Sequence, residues 1–97
     1  MKEGQLYTTN ETFILILKQT TLGFLIYEQY LNSPVLSNDI LNAFIKFEWI
    51  VNCCKGGEFL NVTDSYILTS STGYIGTFDD EEIFEKLKER AVKQYAK

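Results

Sequence analysis

The chain has 97 residues, 45% hydrophobic and 23% charged, a balance that predicts one globular domain over 1–97 rather than a disordered polymer. Its net charge of −4, with the nine basic residues dispersed, argues against a general nucleic-acid binder, which needs clustered Lys and Arg to neutralise phosphates. No stretch approaches the roughly 20 apolar residues of a membrane span, and Met1–Gln5 has no signal-peptide character, so a cytoplasmic location is expected.

A short strand is expected around Gln5–Thr8. The run Thr12–Thr20 is rich in β-branched and aromatic residues, which favours strand over helix. Side chains alternate along a strand, so Phe13, Leu15 and Leu17 share one face while Ile14 and Ile16 share the other. Both faces are apolar, which requires a central strand covered on two sides. Phe24–Leu31 has the same character, and the short link at Gly23 joins the two as an antiparallel hairpin. One helix covers one face only. The opposite face is expected to close into a barrel interior, or to be covered by a second subunit or a partner.

Asn32-Ser33-Pro34 interrupts pairing, because proline removes a ladder donor and restricts its predecessor. Ser37-Asn38-Asp39 then offers helix N-caps before Ile40, Leu41, Phe44 and Ile45, which predicts a short helix near 37–44. The period changes to alternation from Ile45 to about Cys54, a half-buried strand. Lys55-Gly56-Gly57-Glu58 reads as a hairpin turn, with Phe59–Val62 returning, followed by strands at Tyr66–Ser70 and Tyr74–Gly76. The fold class is α+β: a small antiparallel sheet or SH3-like barrel of five to six short strands, one short helix and a C-terminal amphipathic helix.

That last helix, over 79–96, has the clearest signature. Asp79 and Glu82 fit a capping box, and Phe78 and Ile83 fit a hydrophobic staple. Acids crowd its start and Lys86, Lys88, Arg90, Lys93 and Lys97 its remainder, matching the helix dipole. Ile83, Leu87, Ala91 and Tyr95 form the apolar stripe, broadened by Phe84 and Val92.

Motifs for chemistry are sparse. The absence of histidine removes the commonest general base and metal ligand. Cys53 and Cys54 are adjacent and point to opposite faces of a strand, so they suit neither zinc spacing nor shared chelation and read as two free thiols. The acids Asp79–Glu82 diverge around a helix start and read as capping rather than a cation cage. Thr69–Gly73 lacks the glycine, lysine and following helix of a phosphate loop and reads as a polar hairpin tip. No metal, cofactor or catalytic residue is assigned.

The expected function is therefore a non-catalytic protein-binding module. Lysine outnumbers arginine eight to one, proline is single, and Ile, Asn, Phe and Tyr are common, a residue bias toward A/T-rich codons that suggests a phage- or plasmid-encoded accessory or inhibitor protein acting on a host protein. Exposed aromatics at Tyr30, Trp49 and Tyr74 are the candidate contacts. The alternatives are a structural homodimer pairing through its sheets, and a small metal-dependent hydrolase or nuclease using carboxylates such as Glu28 and Glu48. If the acidic start of the last helix serves capping alone, Asp79→Ala costs about 0.5–2 kcal/mol in a denaturant titration and leaves partner binding intact.

Overall fold

The computed structural model describes residues 1–9, 12–30, 57–69, 71–78 and 81–95. In chain order these form β1 (Gln5–Thr8), β2 (Thr12–Gln19), β3 (Phe24–Tyr30), β4 (Gly57–Val62), α1 (Asp64–Ile67), β5 (Gly73–Thr77) and α2 (Glu81–Tyr95). The strands make one antiparallel sheet in the order β4-β3-β2-β1-β5. The expected helix near 37–44, the strand from Ile45 to Cys54, the paired cysteines and the cap residue Asp79 lie outside the described residues.

Two tight links set the sheet's centre. Thr9 donates its N–H to the Thr12 carbonyl at 2.9 Å, and its hydroxyl accepts from the Thr12 N–H at 3.1 Å, turning β1 into β2. Thr20 and Gly23 turn β2 into β3 the same way, through Thr20 N–H to the Gly23 carbonyl at 2.9 Å and Gly23 N–H to the Thr20 hydroxyl at 3.1 Å. Glycine is required at 23 because a Cβ there would collide with the Val62 carbonyl and with Thr63 Cα, where the end of β4 crosses the hairpin.

The alternation in β2 and β3 separates two apolar layers. Leu6, Phe13, Leu15, Leu17, Leu25 and Tyr27 face α2, where they meet buried Leu87 and Ala91 with Ile83, Phe84 and Val92 alongside. Tyr7, Ile14, Ile16, Phe24 and Ile26 form the other layer. Burying a leucine such as Leu87 contributes about 1.5–3 kcal/mol, which is why the helical stripe, rather than its exposed ion pairs, docks α2. Lys86–Glu82 at 3.7 Å and Lys93–Glu89 at 3.9 Å are i, i+4 surface pairs, the class that contributes least.

The sheet is open, not a barrel. Closure would require β4 to pair with β5, whereas β4 bonds to β3 and β5 to β1. The face that a barrel would turn inward is instead filled by α2, which lies over β2, β3 and β4. On the second face Ile14, Ile16 and Ile26 are fully buried within the single chain. Among the described residues, Ile67 inserts there completely, with Met1, Leu60 and Val62 partly covered beside it.

The segment around Ile67 also differs from the sequence reading. Tyr66–Ser70 does not begin a strand; Asp64–Ile67 forms a helical turn, with the Leu68 N–H donating to the Asp64 carbonyl at 2.9 Å. The turn leaves Tyr66 and Leu68 exposed and puts Ile67 in the core. A strand would divide these residues in the same way, so their exposure pattern alone does not distinguish strand from turn. Of the expected turn at Lys55–Glu58, Gly57 and Glu58 belong to β4, and Lys55 and Gly56 lie outside the described residues.

The N-terminal segment is tied to both layers. Gly4 adopts a φ of +88°, in the left-handed region open to glycine. There its N–H donates to the Ile16 carbonyl and its carbonyl accepts from the Phe78 N–H, each at 2.7 Å. Glu3 adds a 2.7 Å ion pair to Lys88 on α2. At the opposite edge, Tyr95 donates its hydroxyl to the outer Phe59 carbonyl of β4 at 2.7 Å, so the end of α2 covers part of that edge.

Gly57 is the sharpest packing constraint. A Cβ at this position would overlap the Tyr27 hydroxyl and ring, because Tyr27 lies across the start of β4 toward Phe59, with ring centroids 5.4 Å apart. Gly57→Ala is expected to cost about 1–3 kcal/mol by displacing this buried ring, measured as a lowered denaturant midpoint with an unchanged slope.

Candidate functional site

β5 is an edge strand of five residues, Gly-Tyr-Ile-Gly-Thr, without a charge. Its register with β1 runs Leu6↔Gly76 and then Tyr7↔Tyr74, leaving Ile75 as an extra residue in a bulge. The neighbouring Tyr74 and Ile75 side chains lie on opposite faces of the strand. Ile75 packs into the layer beneath α2, and Tyr74 stands on the Tyr7 side of the sheet. Tyr74 is 55% exposed. Its ring meets Tyr7 edge to face at 5.6 Å, and its hydroxyl is 3.0 Å from that of Thr77. Tyr7 in turn donates to Gln5 Oε1 at 3.0 Å. An exposed aromatic at a sheet edge is thus positioned from below and from the side.

A second polar group lies farther across the same face. The register places Tyr7 opposite Ile14, Ile14 opposite Glu28, and Glu28 opposite Glu58. Glu28 is only 5% exposed, and Tyr66 of α1 donates its hydroxyl to both carboxylate oxygens, at 2.9 and 2.6 Å. A buried carboxylate without a hydrogen bond would be costly, and Tyr66 supplies one while its own ring stays 45% exposed. Glu58 is exposed on the edge strand.

Of the three residues expected to make contacts, Tyr74 lies on this surface. Tyr30 ends β3 in the register partner position of Thr12, and its side chain lies outside the described residues, as does Trp49. Glu28 belongs to the Tyr66 pair, and Glu48, its companion in the hydrolase reading, lies outside the described residues. The described residues contain no group of three or more Cys, Asp or Glu side chains placed to hold a metal. Thr69, Ser71 and Thr72 bond to one another, with Thr69 and Thr72 hydroxyls 2.7 Å apart and the Thr69 N–H 3.3 Å from the Thr72 hydroxyl. Their oxygens are engaged within the link, in keeping with a polar turn. Among the described residues no helix is long and apolar enough to cross a membrane.

No family model, curated protein or solved structure matches the chain.

Tyr7 couples stability to pH. Burial pushes the Tyr7 phenol up, and the neighbouring Tyr74 adds to the rise. The hydrogen bond that Lys88 donates to the Glu3 carboxylate raises Lys88 likewise, against a smaller lowering by burial. In both cases the folded state holds its proton more tightly than the unfolded chain. Their contribution is complete below the ordinary values and is lost as pH rises through the folded ones. Stability is therefore expected to fall above roughly pH 10. Tyr7 should be among the later tyrosines to ionise by phenolate absorbance, and Tyr7→Phe should flatten part of the alkaline slope in denaturant midpoints.

Proposed function

We propose that the protein is a non-catalytic binding module whose edge strand β5 and Tyr74 engage another protein. The observation that carries this is the exposed, pre-positioned Tyr74 on an uncharged sheet edge. Sheet edges offer unpaired backbone groups to an added strand, and tyrosine is enriched among residues that dominate binding energy because it buries large area at small entropic cost. The two edges differ in support of the reading. β4 carries Glu58 and has its Phe59 carbonyl taken by Tyr95, whereas β5 presents neither charge nor proline. The acidic composition and the residue bias toward A/T-rich codons favour a cytoplasmic phage- or plasmid-encoded accessory or inhibitor of a host protein.

A second copy on the same edge is the weaker reading. A concentration-independent monomer in size-exclusion chromatography with light scattering would leave it without support.

The test is recovery of host proteins on the immobilised chain, identified by mass spectrometry and followed by binding titration of the purified candidate. Tyr74→Ala should weaken binding by about tenfold or more, with thermal stability near that of the parent, and Lys86→Ala on the far side of α2 should not. Undiminished binding by Tyr74→Ala, or turnover of a substrate by the purified protein, would sink the proposal.

A further inference from the structure

Two hydrogen bonds fix which backbone groups β5 turns outward. Phe78 donates its N–H inward to the Gly4 carbonyl at 2.7 Å, and Thr9 donates its own to Thr12 at 2.9 Å, on the β2 side. Backbone groups alternate sides along a strand, and opposed residues of an antiparallel pair either bond to each other or both turn away. Thr77, next to Phe78, therefore turns its N–H and C=O away from β1. Tyr7, two residues before Thr9, bonds toward β2, so its register partner Tyr74 also turns away from β1. Both residues present these groups on the side of β5 that no described strand occupies.

The bulge at Ile75 sets Tyr74 and Thr77 three residues apart without closing the edge to a regular strand. On the inner side β1 already matches them with Tyr7 and Gln5, which are two apart. An incoming strand meets them at the same spacing. The Tyr74 and Thr77 hydroxyls lie 3.0 Å from each other, so the two side chains share a face. A residue placed opposite Tyr74 falls beside a ring already held by Tyr7, which favours an apolar or aromatic side chain there. Charge distinguishes the two ends of the edge. β5 is neutral, whereas Glu81 and Glu82 stand exposed at the start of α2, ahead of its first cation, Lys86. Four residues of chain keep Glu81 within about 14 Å of Thr77, and this end is complementary to basic side chains.

We propose, resting on the reading of β5 as the binding edge, that its ligand is an extended peptide segment added antiparallel as a further strand. The segment carries an apolar or aromatic residue opposite Tyr74 and basic residues beyond Thr77. Hydrogen exchange by NMR tests this first on the free chain, where the Tyr74 and Thr77 amides should exchange faster than those of Gly76 and Phe78. The probe is acetyl-Arg-Lys-Val-Thr-Tyr-Thr-Val-amide, with its tyrosine opposite Tyr74 and its first valine opposite Thr77. Saturating peptide should slow exchange at Tyr74 and Thr77 by about tenfold or more. N-methylation of that valine and tyrosine should weaken binding by a similar factor, and Glu-Glu in place of Arg-Lys should weaken it by about fivefold. Tyr74 and Thr77 amides as protected as Gly76 in the free chain would overturn the proposal. So would protection that rises with protein concentration alone, which marks a second copy on the edge. Binding that fails to saturate, or that is unchanged by N-methylation, would overturn it too. The two proposals fail separately. If Tyr74→Ala abolishes host-protein binding while both amides still exchange fast in the parent's complex, the edge reading stands and strand addition falls.

Discussion

The structure depends on one strand being apolar on both faces. β2 places Phe13, Leu15 and Leu17 on one side and Ile14 and Ile16 on the other, all of them buried. No two-layer arrangement satisfies such a strand, because half of its side chains would remain in water. The amphipathic stripe of α2 answers the first face, and the inserted Ile67 contributes to the second. Each layer is then useful only because the other exists. A change that loosens either exposes the same strand, so the two halves of the core cannot be stabilised separately.

This requirement was legible in the sequence wherever side-chain period and face agreed over many residues. Thr12–Thr20 and Phe24–Leu31 carry enough alternating apolar positions that strand, hairpin and double burial follow together. The stripe through Leu87 and Ala91 gives α2 by the same logic. Three apolar residues do not suffice. Tyr66-Ile67-Leu68 satisfies strand alternation and a helical turn equally well, and the outcome is decided by Ile67 reaching a face built from other strands. Gly57 resembles a turn glycine until the Tyr27 ring is seen to occupy the place of its Cβ. The sheet is open rather than a barrel for a comparable reason: filling the face of Leu15 and Tyr27 with α2 is a matter of three-dimensional volume, which no local pattern records.

The candidate surfaces were legible to different degrees. Tyr74 was identifiable because it sits in a short uncharged run near turn residues. The burial of Glu28 was not, since its partner Tyr66 lies 38 residues away and both residues have ordinary polar neighbours in sequence. Both bulges were invisible as well. Ile75 and Leu17 continue the apolar character of their strands, and only the pairing register shows that each is an extra residue. Those two insertions set the register at which Tyr74 meets Tyr7 and Lys18 meets Leu25, and they are breaks in a period that otherwise specified the fold.

The attachment at Gly4 has a consequence for the order of assembly. The β2–β3 hairpin is a local structure that can form as soon as its residues are available. β1 can join it early through the short Thr9–Thr12 link, yet its other edge waits for β5, and Gly4 waits for Phe78. On a ribosome the protein would therefore spend most of its synthesis with β1 as a temporary sheet margin. Closure of that margin and docking of α2 share the same Phe78 anchor, so the last steps of folding should be a single cooperative event rather than two.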